Sequence, residues 1–222
     1  MKYTLAKQDP KLLRNEFVED NFWGMPTIKK NLIDLGNIQM LGYNNVKSND
    51  PEGAGKIIHF FIDDYKFSSS FDAAYAHVSK QLEIYEGNAF YFAKRLAPYD
   101  HVITPDFSIR PEMPLAVQMM ATFKNRWVGA YWQSRELSVI PSVCWGGPDS
   151  FSFAFLGIER GSIVAISTWG CKRQKRRFMA GYNCMLQEIQ PSAIICYDYP
   201  FDEMEGNIVY FPHRFSKKGG VA

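Results

Sequence analysis

Acidic residues stand directly after three apolar, β-branched runs, at the places where folded strands would end. Lys56-Ile57-Ile58-His59-Phe60-Phe61-Ile62 leads into Asp63-Asp64-Tyr65, and His101-Val102-Ile103-Thr104 leads into Pro105-Asp106-Phe107-Ser108. Ala193-Ile194-Ile195-Cys196 leads into Tyr197-Asp198-Tyr199-Pro200. Brought to one rim, such carboxylates could bind a divalent cation or divide the roles of general acid and general base. Asp106 is the first candidate, because Pro105 holds the backbone before it and Thr104 and Ser108 put hydroxyls close by. Asp63 and Asp64 point to opposite sides of an extended chain, so at most one of them faces a shared site. The competing explanation for all four is the ordinary use of Asp in turns and helix caps.

Rings and cations supply the other chemistry. Trp127, Trp132, Trp145 and Trp169 lie in or just after apolar runs, and Trp132-Gln133 sets an amide that both donates and accepts beside a large ring. Trp132, Gln133 and Trp145, with Ser108 and Tyr197 near the acids, form the candidate set for holding a base or sugar, since flat rings hold flat ligands at small entropic cost. Plugging the ends of a core is the alternative use, for Trp127 and Trp169 above all. Lys172, Arg173, Lys175, Arg176 and Arg177 put five cations into the seven residues from Cys171, just ahead of a helix pattern. A helix amino terminus flanked by cations suits phosphate or nucleic acid. A solvated helix face is the bland reading, although cations at a helix start oppose its macrodipole.

Several chemistries lack their signatures. The histidines, His59, His77, His101 and His213, show no H-x-x-x-H or H-E-x-x-H spacing, and Cys144, Cys171, Cys184 and Cys196 form no C-x-x-C pair. A dedicated zinc site is therefore unsupported, and reduced, mostly buried thiols are expected. Cys144 and Cys171 are weak nucleophile candidates, Cys171 because neighbouring cations would lower its pKa. His213, after the final apolar run, is a candidate proton carrier. G-x-G-x-x-G, G-x-x-x-x-G-K-[ST] and G-x-S-x-G are all absent, which removes the dinucleotide fingerprint, the P-loop and the hydrolase elbow.

The elements that must position these residues follow from the same runs. Besides the three named, Arg126 to Tyr131, Val139 to Val143, Ile163 to Ile166 and Asn207 to Phe211 read as strands. Strands this continuously apolar are buried on both faces, which means a mostly parallel sheet covered by helices, with ligand sites at the carboxyl ends. Helix patterns begin at Ser70 (Phe71, Tyr75, Val78 and Leu82 on one stripe), near Phe90, at Met113-Pro114 and at Lys175, where Phe178, Tyr182, Met185 and Ile189 share a face until Pro191. The fold class is α/β, with a small or irregular (β/α) barrel favoured over an open doubly wound sheet, because little room for a helix separates the runs near 127 and 139. Residues 1–56 read as an irregular lead-in packed on the domain, with Lys11 to Val18 a short helix candidate. Residues 57–215 read as the α/β domain, and 216–222 as a flexible tail.

The chain has 222 residues and a formal charge of +2, so no global field draws it to nucleic acid or to acidic membranes and any basic function must be local. Aromatic residues make up 15%, enough to line a groove as well as fill a core. No signal-type run and no membrane-spanning run is evident, and a soluble cytoplasmic protein without membrane partners is expected.

Thr104-Pro105-Asp106-Phe107-Ser108, Asn125 to Gln133 (NRWVGAYWQ), Ile140-Pro141-Ser142-Val143-Cys144-Trp145, Gly157 to Thr168 and Ile194-Ile195-Cys196-Tyr197 together resemble an uncharacterised family found in phages, plasmids and other mobile elements. The resemblance spans about residues 57 to 200 and implies a mobile-element setting inside a bacterial cell. The family has no assigned catalytic residues, so no role transfers, and the basic run is not among its motifs.

Two functional readings follow. The first is an enzyme acting on a nucleotide or nucleic acid by hydrolysis or group transfer, with or without a divalent cation, at strand-end carboxylates. The second is a non-catalytic protein that grips nucleic acid or a host factor through rings and cations; a scaffold is a third. The sequence leaves metal use and oligomeric state open.

Overall fold

The computed structural model describes residues 17–19, 21–31, 33–47, 53–61, 93 and 95–213. Asp63, Asp64, His77, the helix pattern from Ser70, most of those at Lys11 and Phe90, and the tail lie outside these residues.

The described residues form seven short strands: β1 (Gln39–Gly42), β2 (Lys56–His59), β3 (His101–Ile103), β4 (Val139–Ile140), β5 (Ile163–Ser167), β6 (Ala193–Tyr197) and β7 (Ile208–Phe211). Every ladder is parallel. They run in chain order, β1 to β4 in one sheet and β5 to β7 in a second. A parallel bridge between Ser142 and Ala165 links the two sheets, with Val143 N–H donating to the Ala165 carbonyl at 2.8 Å. The lead-in is thus not wholly irregular: Gln39–Gly42 pairs with β2 from Gln39↔Lys56 to Gly42↔His59.

Side-chain alternation shows how the strands curl. Met40, Ile57, Ile103, Ile140, Ile163, Ala165, Ala193, Ile195 and Phe211, drawn from all seven strands, pack into a single inner cluster. Their neighbours in sequence point outward. Ile58, Val102 and Val139 join one outer cluster, and Val164, Ile166, Ile194 and Cys196 join another. One shared interior with two outer cores, on strands in chain order, is the plan of an incomplete barrel. Among the described residues no ladder joins β7 to β1.

Among the described residues two long helices pack on the outer faces. Helix α1 (Leu115–Gln133) packs Trp127, Val128, Tyr131 and Trp132 into the first outer core. Helix α2 is the single turn Phe151–Ala154. Helix α3 (Lys175–Ile189) buries Phe178, Gly181, Tyr182, Met185 and Ile189 in the second outer core. These include the four positions its 3.6-residue period predicts. It ends where Gln190 turns left-handed (φ 48°) ahead of Pro191.

The segment Arg126 to Tyr131, expected to be a strand, is the carboxyl-terminal half of α1. Residues 125 to 132 are buried all round, and a helix enclosed on every side has no polar face to reveal its period. The helix lies so close to its neighbours that a Cβ on Gly129 would sit 2.4 Å from Ile28 Cδ1 and 2.8 Å from Thr104 Cγ2. Helix propensity alone favours Ala over Gly by about 1 kcal/mol. Overpacking costs about 1–3 kcal/mol, and both neighbours are wholly buried, so Gly129→Ala is expected to be destabilising. Thermal melting checks this: a variant more stable than wild type would refute the close approach.

Candidate functional site

A polar knot lies beneath the carboxyl ends of β3 and β4. Asn125 Nδ2 on α1 donates to Thr104 Oγ1 (2.9 Å), the Pro105 carbonyl (2.7 Å) and Ser142 Oγ (2.8 Å). Ser142 N–H returns a bond to Thr104 Oγ1 at 2.7 Å. Arg126, 2% exposed, donates from Nε to the Leu156 carbonyl (2.9 Å) and from Nη2 to the Ala154 carbonyl (2.8 Å). Its Nη1 reaches the Ser142 carbonyl (3.1 Å) and Asn125 Oδ1. No carboxylate pairs with this guanidinium among the described residues, and burial lowers its pKa to about 10. Three segments far apart in the chain are thereby locked together, and the loop after β3 is held by its Pro105 carbonyl.

Above the knot opens a cavity of about 450 Å³. From the ends of β2, β3, β4 and β5 it takes Phe61, Asp106, Ser108, Arg110, Cys144, Trp145, Ser167 and Trp169, and from the start of α3 it takes Cys171 and Phe178. Asp106 shares a hydrogen bond with the Cys144 thiol; burial raises its carboxyl pKa, and that bond only partly offsets the rise. The thiols respond in the opposite sense to the sequence expectation. Burial and the neighbouring Asp106 push Cys144 well up, and push Cys171 up to about 11, so adjacent cations do not make Cys171 a thiolate. Trp145 packs against Phe178 (5.0 Å between centroids) and Phe155 (6.0 Å). It rests directly on Gly181, where a Cβ would fall 2.1 Å from the indole nitrogen. Trp169 is not a core plug: it is 53% exposed on the lip, its ring 5.3 Å from that of His213.

The strand ends below are closed by rings. Tyr197 stacks on Phe61 (5.5 Å), lies 4.9 Å from His59 and meets His213 edge-on at 5.9 Å. His59, 4% exposed, accepts at Nδ1 from Phe61 N–H (3.3 Å), and burial lowers its pKa to about 4. The unfolded chain takes up this proton near pH 6.5 and the folded one only near 4, so stability is full above 6.5 and falls as pH drops towards 4. At 1.36 kcal/mol per unit the loss is on the order of 3 kcal/mol. Denaturant melts at pH 7 and pH 4.5 should show it, and His59→Phe should flatten the difference. An equal acid loss in that variant would remove His59 as the cause.

The sequence candidates divide. Asp106, Ser108 and Trp145 line the cavity, and Tyr197 is buried against its wall. Trp132 does not: it is 0% exposed in the first outer core, stacked 5.9 Å from Phe60. Gln133, at the end of α1, exchanges hydrogen bonds with the Lys29 backbone (2.9 and 2.7 Å) instead of a ligand. Both positions follow from the helical course of this segment. Asp198 is buried (2% exposed) in a left-handed turn (φ 74°), its N–H donating to the Phe211 carbonyl at 2.9 Å, and it is not among the cavity-lining residues. Arg173, Arg176 and Arg177 are exposed at the start of α3, while Lys175 pairs with Glu203 at 2.6 Å. Among the described residues no three His, Cys, Asp or Glu side chains converge as a metal ligand set.

Arg110, Ser167 and Phe61 were not singled out from the sequence, nor was the knot. Its one legible signal is the spacing of Gln118, Thr122, Asn125 and Gly129 at i, i+4, i+7 and i+11, a polar and small stripe in an apolar segment. No helix among the described residues is long and apolar enough to cross a membrane.

Comparison with known proteins finds phage relatives. The chain is 36% identical over 146 residues to the Gene 1 protein of Mycobacterium phage L5, covering 64% of this chain and 57% of that one. It is 35% identical over 147 residues to the Gene 1 protein of Mycobacterium phage D29, covering 65% and 49%. The chain therefore spans about half the length of these relatives. No solved structure matches. The segments carrying the knot and cavity all lie within residues 17–213, which match the family model "Domain of unknown function (DUF4417)", and the chain belongs to that family.

Proposed function

We propose that the rim cavity is the active site of an enzyme acting on a nucleotide or nucleic acid by hydrolysis or group transfer. The observation that carries this reading is the placement of Asp106, with its raised pKa, in a ring-lined cavity beside Ser108, Ser167 and Arg110. A carboxyl whose pKa is raised by burial holds a proton more readily for a leaving oxygen, and its carboxylate form takes one from an attacking hydroxyl, the two halves of general acid–base work. In a hydrolytic step water attacks phosphorus as the bond to the leaving oxygen breaks; the Asp106 proton passes to that oxygen, and the proton shed by the attacking water returns to the Asp106 carboxylate. Trp145 and Trp169 offer faces for a base, and Arg110 offers a charge for phosphate. The phage relatives support a setting in the cytoplasm of an infected bacterial cell. A non-catalytic grip on nucleic acid is the second reading, favoured by the exposed cations at the start of α3.

The test is turnover of a panel of nucleoside phosphates and short oligonucleotides by wild type and Asp106→Asn. Turnover by wild type that falls in the variant supports the enzyme. Binding by both proteins with no turnover by either supports the second reading.

A further inference from the structure

Resting on the cavity reading above, we infer that the ligand is a single-stranded nucleic acid, one nucleotide in the rim cavity and its next phosphates on Arg173, Arg176 and Arg177. Four observations carry this. First, the cavity and the basic turn are contiguous: Gly170, Cys171 and Phe178 line the cavity and bracket residues 172–177. Second, the cations face solvent. Arg173, Arg176 and Arg177 are exposed and make no ion pair among the described residues. They crowd the turn into α3, where Gln174 gives no side-chain cap, no acidic residue stands in the first turn and Glu203 pairs with Lys175, so the like charges and the helix dipole disfavour one another and favour a bound anion.

Third, cations border the cavity. Arg126 lies buried beneath it with no carboxylate partner among the described residues, Arg110 stands at its lip, and among the described residues Asp106 is the one acid lining it. Fourth, size separates the ligand forms. A space of about 450 Å³ suits one small ligand. It is too small for a duplex, whose bases would have to leave the stack to enter. Three further arginines outside it exceed what a mononucleotide needs. Trp169, half exposed between cavity and cations, offers the flat face on which successive bases stack, and rings interleaved with cations mark single-strand grooves.

The experiment compares binding of thymidine monophosphate, fluorescent single-stranded hexathymidylate, the same hexamer paired with hexadeoxyadenylate, and vesicles containing phosphatidylserine, at 50 and 200 mM salt. Wild type is expected to hold the single-stranded hexamer at least about tenfold more tightly than the monophosphate at 50 mM. The triple variant Arg173→Gln, Arg176→Gln, Arg177→Gln should bring the hexamer close to the monophosphate and lower the salt slope by about 2, at about 0.7 per phosphate contact. Trp169→Ala should weaken the hexamer as well. Equal binding of hexamer and monophosphate, an unchanged triple variant, or preference for the duplex or the vesicles would overturn the inference. Failure of the enzyme reading looks different: Asp106→Asn would leave turnover unaltered while the length dependence persisted.

Discussion

Replacing Arg126 by Met should cost about 3–5 kcal/mol, enough to unfold much of a marginally stable domain at physiological temperature. The magnitudes decide the sign. Burial of the guanidinium is itself unfavourable: a pKa lowered to about 10 from 12.5 corresponds to a penalty on the order of 3 kcal/mol. Against this stand bonds to the Leu156, Ala154 and Ser142 carbonyls and to Asn125 Oδ1, and charged hydrogen bonds contribute about 1.5–3 kcal/mol each. Methionine fills most of the volume but takes the guanidinium donors from three carbonyls, those of Ser142 and Ala154 buried and that of Leu156 part-buried. Lys should rescue little, because one ammonium cannot reach carbonyls arrayed around a planar fork. Denaturant midpoints measure the effect. A loss below about 1 kcal/mol would mean that the strand ends are held by other contacts.

Asp106→Asn should separate stability from activity. Burial raises the native pKa of this carboxyl above 3.8. The folded state therefore holds its proton longer than the unfolded chain, and stability declines as pH rises from about 3.8 through the native pKa. Above that window the full penalty of an ionised buried carboxylate is present. The amide has no such penalty, so the variant should be more stable than wild type at pH 8 by about 0.5–2 kcal/mol, the gain usual when a strained functional group is removed. The advantage should vanish near pH 4. Turnover should fall by about 10²–10⁴, the usual worth of a general acid or base. A variant less stable than wild type at pH 8 would show that Asp106 is an ionised structural group, and one with unaltered turnover would remove it from the chemistry.

The two residues act at different levels. Arg126 touches no cavity surface, yet it ties α1 to the turn after β4 and to residues 154 and 156, and so sets where Cys144 and Asp106 meet. This gives the resemblance motifs a physical reading. The TPDFS, NRWVGAYWQ and IPSVCW segments are remote in the chain, but Thr104, Asn125, Arg126 and Ser142 are one hydrogen-bonded unit.

Local pattern alone determined the parallel strands at 56, 101, 139, 163, 193 and 208, because buried parallel strands are written as short apolar runs of β-branched residues. It also determined α3, whose stripe of Phe178, Tyr182, Met185 and Ile189 contrasts with a charged outer face. The candidacy of Asp106 followed from its place after a strand, since topology sends strand ends to one rim.

Tertiary structure decided the rest. Residues 126–131 form a helix because packing against Ile28, Thr104 and the first outer core overrides their strand-like composition. That single change carries Trp132 into the core and Gln133 to Lys29, far in function from any ligand. It also makes Arg126 a buried strut. The pKa values of Asp106, Cys144 and Cys171 depend on burial and on partners 38 and 65 residues away in the chain from Asp106. Desolvation is a property of the assembled surroundings, so no local spacing could announce it.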